Sequence, residues 1–258
     1  MYLNEHVKLI RKYSKEHKQT PLVTIIHGSQ NYDLDLPNSD IDSRTFFLPT
    51  LEDIVKENKI FPAKIKDNDN GILSLNNIAT FFKQLFYKNA FNDLELLFAT
   101  ECYFYNENFY HFWKKYIIPN RDKILYINPE QTLKTFYGIM MSNYSFSEKL
   151  LNKDDKEKFW KKAHYVEYFA DIIVAYLLKE KENIFILDIE STKYLKNIKK
   201  GESDYEEEEY LCYLKNFVIK VVEGLIAEAD LDSLKEYFNI EIFYIKFMDL
   251  ILKGELSI

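Results

Sequence analysis

The segment that most narrows what this 258-residue chain can fold into is Pro21–Pro49, PLVTIIHGSQNYDLDLPNSDIDSRTFFLP. It opens on a β-branched apolar run, Leu22–Ile26, that reads as a buried strand. Gly28 and Ser29 end the run in a turn. The stretch Gln30–Asn38 is polar and carries Pro37 and Asn38 as breakers. Ser39-Asp40-Ile41-Asp42 then leads through Arg44 into a second apolar run, Thr45–Leu48.

Asp40 and Asp42 are two residues apart. On a strand both carboxylates leave the same face while Ile41 packs on the other. Carboxylates held that close repel, and a divalent cation relieves the repulsion. Mg²⁺ (or Mn²⁺) suits a carboxylate pair completed by phosphate oxygens and water. The Gly28-Ser29 turn offers what phosphates need: a backbone that can approach a ligand closely, N–H groups that can form an anion nest, and a hydroxyl. The plainer alternative is a hairpin with one capping and one solvated aspartate.

Gly-Ser, a gap, then Ser-Asp-x-Asp resembles the signature of the DNA polymerase β-type nucleotidyltransferase superfamily, and the Gly28-to-Asp40 spacing is similar to that of its small bacterial members. Many relatives carry glycine in the gap where this chain has Tyr32-Asp33. The resemblance implies that Gly28 and Ser29 contact a triphosphate and that Asp40 and Asp42 bind the metals. KNAFNDLELLF (88–98) is similar to the Asn-rich turn and Glu-Leu-Leu strand of a bacterial and phage subgroup, the YcgL-like nucleotidyltransferases. Only Asn89 and Asn92 of that turn are kept. KKAHYVEYF (161–169) and YLKNIKKGE (194–202) look like two further stretches of the subgroup's helical half.

The resemblance also implies a third carboxylate on a neighbouring strand, able to bind metal and help activate the attacking hydroxyl. Asp93-Leu94-Glu95-Leu96-Leu97-Phe98 reads as that strand, with Asp93 and Glu95 on one face. Glu95 is the expected ligand and Asp93 the alternative; Glu95 as the polar face of an edge strand is the bland reading. Arg44 shares the face of Asp42, so it suits either bidentate binding of a phosphate or a salt bridge to one of the aspartates. Lys199 and Lys200 suit either phosphate or a solvated helix end. His164 reads as a packed histidine on an amphipathic helix rather than a base, and His27 as strand-end packing. No zinc motif, nucleophile elbow, Walker A loop or dinucleotide fingerprint is present.

Around this segment the pattern is mostly helical. A first amphipathic helix is expected over 3–17. A short helix over 51–56, a strand over 59–65, a turn at Asp67–Gly71 and a strand over 72–75 follow; the turn lacks the downstream Glu of a Ca²⁺ loop. Asn76 or Asn77 caps a helix to Lys88. Helices are then expected over 107–117, 129–151, 155–180, 189–198, 205–228 and 231–252. The acidic run Asp204–Glu209 fits the first turn of a helix.

Six glycines and six prolines argue against a loop-rich all-β protein, and twenty Tyr with twenty Phe supply ample core. A net charge of −7 disfavours broad nucleic-acid binding. Cys102 and Cys212 have no metal spacing and suit a reducing compartment. MYLNEHVKLIRK places charges where a signal peptide needs an apolar core, and no run is long enough to span a membrane. These features predict a cytoplasmic protein.

The expected fold is α+β: a nucleotidyltransferase-type mixed-sheet core over 1–105, then an all-α domain over 106–258. The expected reaction is metal-dependent transfer of an NMP, AMP by preference, from an NTP (ATP) to a hydroxyl on a small molecule, protein or RNA. The competing expectation is a catalytically silent module of the same fold, serving as a nucleotide sensor or antitoxin-like binding partner. A helical interaction protein whose motif is accidental is the third.

Overall fold

The computed structural model describes residues 3–37, 39–50, 63–67, 71–153, 155–179 and 182–256. The helix expected over 51–56, the start of the strand expected over 59–65 and the tip of the turn at 68–70 lie outside the described residues.

The chain forms two compact units. One comprises Met1–Asn31, Pro37–Ile127 and Glu236–Ile258; the other comprises Tyr32–Leu36 and Asn128–Lys235. The division expected after residue 105 therefore falls after Ile127, and the last helix belongs with the sheet. The first helices of the apolar-periodic half cover the sheet, which hydropathy alone does not distinguish from a separate domain.

The sheet unit is mixed α/β. Its five strands are β1 (Thr20–His27), β2 (Asp42–Leu48), β3 (Ala63–Asp67), β4 (Gly71–Asn77) and β5 (Cys102–Phe104), in the order β3-β4-β2-β1-β5. β2 and β4 run parallel and the other pairs antiparallel, with His27 opposite Asp42 and Ile25 opposite Arg44. The two apolar runs of Pro21–Pro49 are thus adjacent central strands.

Strand alternation sorts β2 onto two faces. Ser43, Thr45 and Phe47 meet helix α1 (Asn4–His17). His6 Nδ1 bonds Ser43 Oγ at 2.7 Å, and Ile10 packs with Phe47, Leu73 and Leu75. Asp42, Arg44 and Phe46 take the other face. There α2 (Ile78–Lys88), capped by Asn77 accepting from the Ala79 N–H, sets Phe81 against Phe46 with ring centroids 4.4 Å apart.

After α2, Asn89 turns left-handed at φ 45°. The segment expected as a strand over 93–98 is instead helical: α3 (Phe91–Leu94) and a 3-10 turn, Glu95–Phe98. The Ala90 carbonyl accepts from both Asp93 and Leu94 N–H groups and starts this turn. Next come β5, which had no sequence signal, then α4 (Glu107–Phe112) with a π-helical continuation to Ile117, and α5 (Arg121–Leu125). The helix expected over 231–252 is broken. α11 (Leu231–Leu234) stops, and α12 (Ile240–Leu252) starts afresh where Asn239 accepts from the Ile242 N–H. A side chain that bonds its own backbone competes with helix continuation. Phe243 and Phe247 of α12 pack edge-on against Phe82.

The helical unit contains α6 (Pro129–Leu151), α7 (Lys156–Leu178), α8 (Ile189–Lys200), α9 (Glu207–Tyr213, continued by a π turn to Ile219), α10 (Lys220–Glu228) and α11. Side-chain caps set the starts: Asn128 for α6, Asp155 for α7 and Asp188 for α8. Gly201 ends α8 at φ 81°, where an added Cβ would stand 3.1 Å from Trp160 Cδ1. Among the described residues no helix is long and apolar enough to cross a membrane.

Candidate functional site

β1 and β2 run side by side, so the Gly28 turn and Asp42 emerge at the same end of the sheet. Gly28 adopts φ +79°, a conformation that costs a non-glycine residue about 1–2 kcal/mol. A Cβ built there would lie 3.6 Å from Asp42 Oδ2. Gly28, Ser29 and Gln30 form one 3-10 turn, closed by the Asn31 N–H on the Gly28 carbonyl at 2.9 Å. Asp42 Oδ1 accepts from the Ile72 N–H at 3.1 Å.

Asp40 lies outside β2, in the segment that leads into it, and is exposed. The expectation that both aspartates ride on one strand is corrected to this extent: Asp42 is the first strand residue. Gln30 donates its side-chain N–H to the Asp40 carbonyl and so ties the lead-in to the turn.

The helical turn 91–98 completes the arrangement. Glu95 is 2% exposed. It accepts from the Gly28 N–H, while Oε2 has no hydrogen-bond partner among the described residues. Burial pushes its carboxyl well above the usual range, and the Gly28 N–H offsets only part of that. Glu95, expected on a strand face as a third carboxylate beside Asp40 and Asp42, instead meets the Gly28 turn from a buried helical turn. The Gly28 N–H expected to cradle phosphate is bonded to Glu95, which leaves Ser29 as the residue of the pair whose N–H and hydroxyl suit a ligand.

Asp93 and Arg44 find each other. Arg44 Nη1 donates to Asp93 Oδ1 at 2.7 Å, and both side chains are largely buried. Desolvation raises the Asp93 carboxyl to about 6 against the pull of Arg44, and desolvation also lowers the Arg44 guanidinium. Arg44 therefore makes a salt bridge, but to Asp93 and not to Asp40 or Asp42. Arg44, expected at a phosphate or an aspartate, and Asp93, the alternative third carboxylate, are thus paired with each other.

Asn31, which the sequence did not single out, links the two halves. It is buried; its Nδ2 donates to the Glu95 carbonyl at 3.3 Å and its Oδ1 accepts from the Thr100 N–H at 3.0 Å. One asparagine in a polar loop carries no sequence signal for such a bridge.

The donor set decides how well a divalent cation fits. Asp42 Oδ2 faces the turn and the Asp40 carboxylate is open to solvent, two hard oxygen donors of the kind Mg²⁺ uses with water and phosphate. Glu95, the expected third ligand, is buried, and burial pushes its carboxyl well above the usual range. Among the described residues no group of three His, Cys, Asp or Glu side chains is arranged to hold a metal ion. The residues fit a two-carboxylate site.

His27, at the end of β1, stands opposite Asp42 in the ladder. His164, in the helical unit, is fully buried, as a packed histidine should be. Lys200 is exposed and 3.8 Å from Glu202; Lys199 is buried and bonds the Leu34 carbonyl. No family model, curated protein or solved structure matches the chain.

Proposed function

We propose that the sheet unit is a nucleotidyltransferase core of the DNA polymerase β type, moving AMP from ATP to a hydroxyl on a small molecule, protein or RNA. One observation carries the reading: a positive-φ glycine, a strand-mouth aspartate and a buried glutamate meet at the Gly28 turn. In this reading Ser29 receives phosphate oxygens on its N–H and hydroxyl. Glu95 and Asn31 hold the turn in its left-handed conformation. Asp40 and Asp42 would hold the divalent ion, which when bound neutralises the carboxylates and the phosphate charge. Asp93 and Arg44 brace the turn 91–98 against β2.

The test is incubation with ATP labelled on the α-phosphate, Mg²⁺ or Mn²⁺ and a cell lysate. Label should move to an acceptor, and Asp40→Asn or Asp42→Asn should abolish the transfer while leaving the protein folded. A second reading draws on the burial of Glu95, which leaves only two open carboxylates: a silent nucleotide-binding module. Thermal stabilisation by ATP with Mg²⁺ but no label transfer would favour it. Neither stabilisation nor transfer would sink both.

A further inference from the structure

The helical unit brings together the stretches 161–169 and 194–202. Lys161 and His164 lie on α7, Lys196 and Lys199 on α8, and the segment Tyr32–Leu36 belongs to the same unit. Three contacts hold that segment. The Tyr32 ring lies 5.0 Å from that of Tyr168, Lys196 Nζ is 3.3 Å from Asp33 Oδ1, and Lys199 Nζ donates to the Leu34 carbonyl at 2.8 Å.

Two features of this cluster are unbalanced. The first is charge. Lys199 is 8% exposed, and its ammonium donates to a neutral carbonyl, that of Leu34. Desolvation lowers it to about 8, and Lys161 and Lys196 lie close enough to push it the same way, against the single pull of Asp35. Asp33, the partner of Lys196, is 72% exposed at its side chain, where water weakens the pairing.

The second is the imidazole. His164 Nδ1 is 3.2 Å from the Trp160 carbonyl. A carbonyl only accepts, so Nδ1 carries the proton. Burial first and the charge of Lys199 second push His164 down to about 3, so Nε2 is a bare lone pair near neutrality. It is buried and, among the described residues, has no hydrogen-bond partner. A buried polar atom left this way is costly unless something bonds it.

One ligand chemistry answers both. Oxyanions balance the ammonium groups through charge-assisted hydrogen bonds, and a hydrogen phosphate oxygen or an accompanying water donates to Nε2. We propose that Lys161, Lys196 and Lys199, with His164 beside them, form a phosphoryl-binding site within the helical unit. The assignment uses residues of that unit alone and stands apart from the nucleotidyl-transfer reading. Lys200, exposed beside Glu202, is outside it.

The experiment is calorimetric titration of the full chain with inorganic pyrophosphate, and separately with ATP, in EDTA at low salt. EDTA removes any metal-dependent binding at Asp40 and Asp42. Saturable binding is expected. The variant carrying Lys161→Gln and Lys196→Gln should bind about tenfold more weakly or worse, the loss expected for charge-assisted bonds. Both positions are solvent-accessible, so the variant should fold, with Lys161→Gln alone as the fallback. In ¹⁵N spectra the His164 Nε2 signal of the wild type should move on titration. Binding of both anions assigns the site to a phosphoryl group; binding of ATP alone, weakened in the variant, assigns it to a nucleotide. No saturable binding of either anion, equal affinity in the variant, or an unmoved His164 signal overturns the proposal. Label transfer is scored separately, so intact transfer with no binding in EDTA discards this site alone.

Discussion

Arg44 and Lys199 are both buried cations, and the chain treats them differently. Arg44, in the sheet unit, has a full carboxylate at 2.7 Å. Lys199, in the helical unit, has a backbone carbonyl at 2.8 Å and two lysines near enough to repel it. The first is a closed pair, in which each ion offsets part of the other's desolvation. The second is open, with positive charge left over. A closed pair serves the fold, because an incoming ligand would have to displace its partner. An open cation is a place where a ligand can add stability, since the missing counter-charge can come from outside.

The largest test of this contrast is Asp93→Ala. It strands the Arg44 guanidinium in a buried site and should cost about 3–5 kcal/mol, as breaking one side of a buried pair does. Urea denaturation would measure it. Adding Arg44→Met should recover most of the loss, because two apolar groups need no pairing. If Asp93→Ala is nearly silent, water already compensates the pair and the contrast with Lys199 collapses.

The pH dependence sharpens the same pair. Asp93 titrates near 3.8 unfolded and about 6 folded. Between those values the folded state holds the proton more tightly, so this group's contribution is greatest below 3.8 and is lost as pH rises through about 6. The difference in unfolding free energy between wild type and Asp93→Asn should therefore change across pH 4–7 in that sense. A pH-independent difference would mean that Asp93 is not desolvated.

Lys199→Met should matter less. It removes a hydrogen bond of about 1 kcal/mol but also a buried charge with repelling neighbours, so in anion-free buffer stability should change by about 1 kcal/mol or less. Its pH signature is opposite to that of Asp93. A lysine lowered from 10.5 to about 8 disfavours the folded state while it is charged. Stability should rise with pH from about 8 toward 10.5 in the wild type, relative to Lys199→Met. A large loss in Lys199→Met at pH 7 would show that Lys199 is a structural staple for Leu34 and not an open cation.

How far the sequence disclosed this depended on range. β1, β2 and the Gly28 turn were legible because a β-branched run, a glycine and a proline-bearing loop punctuate the chain locally. The helices expected over 129–151, 155–180 and 189–198 were legible from apolar periodicity and agree with α6, α7 and α8 to within about two residues at each end. The turn 91–98 was not. Its apolar residues are buried on all sides, so alternation in Asp93-Leu94-Glu95 fits a strand as well as a helix, and only Asn89 turning left-handed decides. β5 is three residues long, too short to leave a pattern. Arg44 with Asp93 and Asn31 with Thr100 are long-range partnerships that no local spacing encodes. The place of Asp40 and Asp42 beside a glycine turn was legible; the burial of Glu95 was not, because it depends on what packs around a helical turn read as a strand.

Glu95 handles burial in a third way, and it carries the smallest expected effect. It has neither a counter-ion, as Arg44 has, nor an exposed route to one. Burial instead raises its carboxyl well above the usual range, which favours the protonated form. A protonated glutamate and a glutamine have nearly the same shape, and both keep a carbonyl oxygen for the Gly28 N–H. Glu95→Gln should therefore change unfolding free energy by about 0.5 kcal/mol or less. It should also leave nucleotide affinity and label transfer within a few-fold of wild type, because the Gly28 turn stays held. Glu95→Ala is the control: it leaves the Gly28 N–H without its acceptor, should cost about 1–3 kcal/mol, and should weaken nucleotide binding by loosening the turn. Denaturation and transfer rates measured side by side for the two variants decide between roles. A fall of about 100-fold in transfer for Glu95→Gln, with stability unchanged, would mean that charge and not shape is what the site needs from this residue. Glu95 would then join Asp40 and Asp42 as an ionised ligand, and its burial would be relieved when metal and nucleotide bind.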